Sequence, residues 1–272
     1  MLSLLQTLPE ARAKKRSMMI SASQVVKRFG DTETGVTALD GISLDVAEGE
    51  FVSLLGPSGC GKSTFLRCLA GLEKPTSGTL LIDGAKIDGP PDRLGMAFQR
   101  DALLDWFDVL ENVLLPADFG NEPKREHEPR ARALLKMVGL SGFVHAYPRT
   151  LSGGMRQRVA LCRSLLLDPR LLLMDEPFGA LDALTRDQLN VDLHRLWHQR
   201  EMTVAFVTHS IAEAVFLSTR IVVFSPRPGR VVEDIQIDLP RERRLAMRES
   251  PDFAAYTRRI RSLFESMGLI HD

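Results

Sequence analysis

The 272-residue sequence predicts an α/β fold: a mostly parallel sheet with helices on both faces, a small antiparallel β subdomain, and a helical subdomain inserted at about residues 100–157. Three observations carry this. Short apolar runs alternate with helical patterns on either side of the middle of the chain. One such run meets a glycine-rich turn that opens directly into a helix. From Asp101 to Thr150 the strand signals stop.

Phe51-Val-Ser-Leu-Leu55 reads as a buried strand, and the helix beyond the glycine-rich turn is apolar through Leu69. Leu80-Leu-Ile82 and Ala85-Lys-Ile87 flank Asp83-Gly84, a two-residue hairpin signal and the mark of the antiparallel part. Leu110, Val113 and Leu114, then Leu134, Leu135 and Val138, recur at helical spacing, separated by the polar, proline-containing stretch Gly120 to Pro129. A helix from Ser152 to Leu167 leads to the strand Leu171-Leu-Leu-Met174. The next helix places Leu189, Leu193, Leu196 and Trp197 on one face, before strands Val204–Thr208 and Ile221–Phe224. The main domain is bounded at residues 20–240. Residues 1–19 form a tail, and 241–272, rich in Arg and weakly helical, a peripheral extension.

Lys+Arg and Asp+Glu are both 35, so the net charge is zero, which argues against a dedicated nucleic-acid binder. The three cysteines, Cys60, Cys68 and Cys162, are too sparse for a disulfide framework and point to a reducing compartment. No apolar run approaches the ~20 residues that span a bilayer. The best stretch, Ala102 to Ala117, is cut by Asp105, Asp108 and Glu111. Lys14, Lys15 and Arg16 follow the apolar start instead of preceding it, unlike a secretory signal. A cytosolic protein is expected.

The chemistry begins at Gly56-Pro-Ser58-Gly59-Cys60-Gly61-Lys62-Ser63-Thr64, which fits G-x-x-x-x-G-K-[ST] between a strand and a helix. Its glycines let backbone N–H groups turn toward phosphate oxygens at a helix N-terminus. Lys62 would reach the β/γ-phosphates, and the Ser63 hydroxyl would ligate Mg²⁺. Cys60 is expected to be a small filler, though an accessible one. Leu171–Met174 delivers Asp175 and Glu176 to the edge where α/β sheets bind ligands. Asp175 would hold Mg²⁺, and Glu176 would orient or deprotonate the attacking water. Leu151-Ser152-Gly153-Gly154-Met155 opens a helix with a hydroxyl and two bare backbone amides, a second phosphate cradle. The bland alternative is a serine N-cap. One chain cannot easily place two cradles around one γ-phosphate, so the second is expected from a partner subunit.

With Gly179-Ala-Leu-Asp182 and His209 following in order, the chain resembles ABC-transporter ATPases from about Ser23 to Arg230. The resemblance implies a P-loop NTPase core and an ATP-hydrolysing homodimer on transmembrane permease subunits, coupled through them to a substrate-binding protein. It places the chain at the cytoplasmic face of the inner membrane. It implies that Gln99 links Mg²⁺ to the helical subdomain, that Phe29 stacks on adenine, and that His209 contacts the γ-phosphate. It makes Asp182 part of the nucleotide site. Asp175-Glu-Pro-Phe-Gly-Ala-Leu-Asp-Ala-Leu-Thr-Arg186, Glu213-Ala-Val-Phe216 and Ser225-Pro-Arg-Pro-Gly-Arg230 look like the nitrate/sulfonate/taurine importer group. Ser210 stands where the family usually has Asp, and Asp105 where Pro is usual before Trp106. ABC ATPases of DNA repair or translation are the alternative. Repair members carry long coiled coils and translation members two cassettes; this chain has neither sustained heptads nor a second P-loop. His194 and His198, spaced i, i+4, are expected on a solvated helix face.

Overall fold

The structure is a computed structural model describing residues 17–31, 35–179, 181–200 and 202–270. The expected tail is outside the described residues up to residue 16. From Met18, however, the chain is already in strand, so the tail boundary at 19 is corrected. A six-stranded sheet has the order β10-β9-β3-β8-β7-β6. Its members are β3 (Phe51–Leu55), β6 (Leu94–Ala97), β7 (Leu171–Asp175), β8 (Thr203–Thr208), β9 (Arg220–Phe224) and β10 (Val231–Gln236). All neighbours are parallel except β9 and β10. The central strands β3, β7 and β8 are buried along their whole length, which is why they read as continuous apolar runs instead of alternating ones.

A second, antiparallel sheet has the order β2-β1-β4-β5, with β1 (Met18–Phe29), β2 (Val36–Ala47), β4 (Ser77–Ile82) and β5 (Ala85–Lys86). The Asp83-Gly84 turn joins the last two, with Ile82 opposite Ala85. Asp83 and Gly84 both have positive φ, as a type I′ turn requires. This sheet and α1 (Lys62–Leu69) close one core around Ile20, Leu39, Ile42, Phe65, Val207 and Phe224.

The opposite core, around Phe51, Phe206 and Trp197, is closed by the remaining helices. These are α2 (Val109–Phe119), α3 (Lys124–Met137), α4 (Gly153–Leu165), α5 (Ala183–Arg200), α6 (Ile211–Leu217) and α7 (Pro251–Ser266). Asp108 and Glu111 form a reciprocal capping box at the start of α2. Helix α3 begins inside the stretch expected to separate two helices, and it contains Pro129. A proline there removes one helical hydrogen bond. Burial of Ala131, Leu134 and Leu135 offsets that local cost.

Two expectations are overturned on this side of the sheet. The C-terminal segment is not a weakly helical periphery. Ser250 caps α7 by accepting from the Phe253 amide at 3.3 Å, and Phe253, Ile260 and Phe264 are buried against the core. Arg243 is buried too, donating to the carbonyls of Val215 (3.0 Å) and Ser218 (3.1 Å) at the end of α6. A cation there satisfies orphan carbonyls and opposes the helix dipole. Nor is His194 solvated: it is 4% exposed, between the rings of Trp197 and Phe216. Burial first, then the charges of Arg243 and His198, lower its pKa to about 4.

Candidate nucleotide-binding and catalytic site

Strand β3 ends at Leu55, and the chain wraps from Gly56 to Gly61 before α1 starts at Lys62. The wrap needs its glycines. Gly59 and Gly61 have φ of 75° and 109°, and a Cβ on Gly61 would lie 2.5 Å from the Ala38 carbonyl. No side chain caps α1, so its first amides remain directed at the loop's hollow. Lys62 is 3% exposed, and its Nζ donates to the carbonyls of Gly56 and Pro57, each at 2.8 Å. These contacts fold the ammonium along the loop where a phosphate would compete for it. Cys60 corrects an expectation. It is 1% exposed, with Sγ 3.6 Å from Lys62 Nζ and packed under Gly56, so the thiol is a buried filler and not an accessible one.

The Ser63 hydroxyl donates to Asp175 Oδ1 at 2.6 Å, bringing the P-loop to the end of β7. Burial pushes the Asp175 carboxyl above its ordinary pKa. The Ser63 hydrogen bond opposes that shift, and the Glu176 charge adds to it. Hydroxyl and carboxylate oxygens in contact form a hard donor set suited to Mg²⁺. The next residue, Glu176, has φ of 44°, a left-handed conformation that costs a non-glycine residue on the order of 1–3 kcal/mol. Its amide donates to the Val207 carbonyl at 3.0 Å, fixing the turn. The carboxylate thereby lies 3.3 Å from His209 Nδ1 and 3.5 Å from Gln99 Nε2. The Gln99 carbonyl accepts from Gln157 Nε2 of α4 at 3.0 Å, a link to the inserted helices.

His209 follows β8 and is tied into α6. The Ser210 hydroxyl accepts from the Glu213 amide at 3.3 Å, and Thr208 Oγ1 donates to the Glu213 carboxylate at 2.6 Å. Serine in place of the usual aspartate therefore still caps the helix that follows the histidine.

A cleft of about 420 Å³, within the range of small-molecule sites, joins these parts. Ser58, Gly59, Gly61, Lys62, Ser63, Thr64, Gln99 and Glu176 line it. Phe29, 41% exposed, adds apolar lining together with Val36 and Ala38. Arg227 completes the lining beside Gly59. Reading the sequence for chemistry missed Val36, Ala38 and Arg227. The first two carry no motif, and Arg227 stood in a segment noted only for its resemblance to importers.

Ser152, Gly153, Gly154 and Asp182 do not line this cleft. Ser152 caps α4, accepting from the Met155 amide at 3.3 Å, so the bland N-cap reading holds within one chain. Asp182 accepts from the Thr185 amide at 3.0 Å, and this backbone bond, first among its causes, lowers its carboxyl pKa. The two segments adjoin, since a Cβ on Gly154 would meet Thr185 Cγ2 at 2.9 Å. Both Ser152 and Asp182 face solvent. Ala180, within the same motif, lies outside the described residues.

A glycine-rich loop joining a central parallel strand to a helix, with two carboxylates at the end of β7 on the far side of β8, is the layout of a nucleotide-hydrolysing cassette. The chain belongs to the ABC transporter family: the family profile, described as ABC transporter, matches residues 39–179, more than half of it. It is an ATP-binding ATPase of that family. Among its relatives, the taurine import ATP-binding protein TauB of Rhizobium johnstonii is 45% identical over 244 residues, 88% of this chain and 92% of that protein. The aliphatic sulfonates import ATP-binding protein SsuB of Bacillus cereus is 41% identical over 253 residues, 93% and 98% of the two chains. An ABC transporter ATP-binding protein of Methanocaldococcus jannaschii, MJ0412, is 46% identical over 93% of this chain and 94% of its own length. Among solved structures, the dimeric post-hydrolysis state of the cassette MJ0796 bound to ADP and Pi superposes with a TM-score of 0.73. It is 36% identical and covers 82% of this chain and 100% of that one.

Proposed function

We propose that the chain is the motor subunit of an importer for a small solute of the nitrate, sulfonate or taurine kind. It would work as a homodimer at the cytoplasmic face of the cell membrane, on transmembrane permease subunits fed by a substrate-binding protein. The observation that carries the dimeric motor is the split of the site. One chain presents a cleft lined by Lys62, Ser63 and Glu176, with His209 3.3 Å from the Glu176 carboxylate, and, away from it, the Ser152–Gly154 cradle, whose first two residues are exposed. Two copies placed head to tail complete each cleft with the other's cradle. The solute class rests on the taurine and sulfonate importers among the relatives.

In this reading Phe29 stacks on the base, the amides of Gly59 to Thr64 hold the phosphates, and Lys62 moves from backbone carbonyls to phosphate oxygens. Mg²⁺ held by Ser63 and Asp175, with Gln99 beside it, would neutralise charge on the β/γ oxygens. Glu176 holds the attacking water and takes up its proton, and His209 contacts the γ-phosphate from the α6 side. Gln99 reports occupancy to α4 through Gln157. No helix among the described residues is long and apolar enough to cross a membrane, which fits a subunit that leaves the transport path to others.

The test is genetic. Deleting the gene in its host should abolish uptake of one of taurine, alkanesulfonates or nitrate, with rescue by the wild-type chain and not by Lys62→Ala. Undiminished uptake of all three would remove the proposed solute class.

A further inference from the structure

The loop 225–230 between β9 and β10 is built onto the phosphate loop. The Gly229 amide donates to the Ala38 carbonyl at 3.0 Å, and the Asp40 amide donates to the Gly229 carbonyl at 2.9 Å. A Cβ on Gly229 would lie 2.2 Å from the Cys60 carbonyl, so only glycine permits this approach. Ser225 Oγ accepts from the Arg230 amide at 3.0 Å, closing the loop on itself, and Arg230 Nε donates to Asp40 at 2.9 Å, anchoring it.

What this scaffold presents at the cleft is Arg227. Its Nε donates to the Gly59 carbonyl at 3.2 Å, and its side chain lines the same cleft as Lys62 and Glu176. The nearest atom to a Cβ built on Gly59 is Arg227 Nη2, at 3.7 Å, so the guanidinium lies along the phosphate loop itself. Its charge is left over. Arg220 and Arg230 on the same hairpin are paired with Asp234 and Asp40, whereas Arg227 has no carboxylate partner among the described residues. A guanidinium fork with free Nη groups matches the geometry of a phosphate.

We propose that Arg227 is a phosphate-binding residue of this site, its Nη groups donating to the phosphate oxygens of the bound nucleotide from the loop side while Lys62 acts from α1. This rests on the ATP-site reading above.

The test is calorimetric binding of MgADP and of the imido analogue of MgATP to wild type, Arg227→Ala, Arg227→Lys and Lys62→Ala. Arg227→Ala should weaken at least one nucleotide about tenfold, as expected for a partly exposed charge-assisted hydrogen bond, and Arg227→Lys should recover most of that. The ratio of wild-type to Arg227→Ala affinity should shrink as salt rises, because an exposed charge contact is screened. Unchanged affinity for both nucleotides overturns the proposal. So does a loss that does not shrink with salt, which would assign Arg227 to supporting Gly59. Lost ATP turnover with unchanged affinities also overturns it, pointing instead to a contact with the second copy. If Lys62→Ala binds both nucleotides as tightly as wild type, the nucleotide-site reading itself fails, whatever Arg227→Ala does.

Discussion

Glu176 holds a strained backbone conformation at the end of β7, and its carboxylate meets both His209 and Gln99. Glu176→Gln keeps the shape but cannot accept a proton. Turnover should fall by roughly 10²–10⁴-fold, the usual worth of a general base, while ATP binding persists and an ATP-stabilised dimer appears on a sizing column. Near-normal turnover would remove Glu176 from the chemistry. The cysteines give a second prediction at this scale. All three are buried, and burial pushes Cys68 up to about 11 and Cys162 further still. Little thiolate forms at neutral pH at those two, and Cys60 is shielded by packing. Alkylation of the native protein should therefore be slow, and mass spectrometry should find adducts only after unfolding. Rapid labelling of Cys60, with MgATP protecting, would show that the phosphate loop opens. The P-loop residues were legible because motif and context coincide in one short window. The burial of Cys60 was not, because it depends on Phe224, which β9 brings against Gly56 of the same loop from far along the chain.

At the scale of elements, the central strands were readable since burial on both faces leaves an uninterrupted apolar run. The C-terminal helix was not, because its arginines dominate the composition. Phe253, Ile260 and Phe264 nevertheless keep a helical spacing, and they find their partners only when α6 is in place. Ile260→Ala should cost about 2–5 kcal/mol by denaturant unfolding, as for a fully buried aliphatic. A value within about 0.5 kcal/mol would return the segment to the surface. His194 was misread for the same reason: its spacing to His198 says nothing of the ring of Phe216 or the charge of Arg243. Its folded pKa of about 4 lies below the ordinary 6.5. The unfolded chain thus takes up the proton first, and stability is lost as pH falls from about 6.5 toward 4, by about 3 kcal/mol at most. His194→Phe should flatten that part of the stability–pH curve. An unaltered acid slope would mean that other groups carry it.

For the whole molecule, the informative fact is that the residues read as one site fall on two surfaces of a single chain. Sequence order could reveal both cradles; only the fold shows that Ser152 and Asp182 lie apart from the cleft that Lys62 lines. Lys62→Ala should disable a phosphate loop, and Ser152→Arg should fill the second cradle. Either homodimer then carries two damaged sites and should be inactive. In a mixed head-to-tail dimer both lesions fall in one site, and the other joins an intact P-loop to its partner's intact cradle. With random pairing and independent sites, mixing equal amounts should restore about a quarter of wild-type ATPase activity. Were each site built within one chain, every site in the mixture would stay damaged. Obligate two-site turnover would mask the rescue in a steady-state assay, so ATP occluded per dimer is measured beside it. With mixed dimers shown to form, absence of recovery in both assays would exclude independently competent sites shared across the interface.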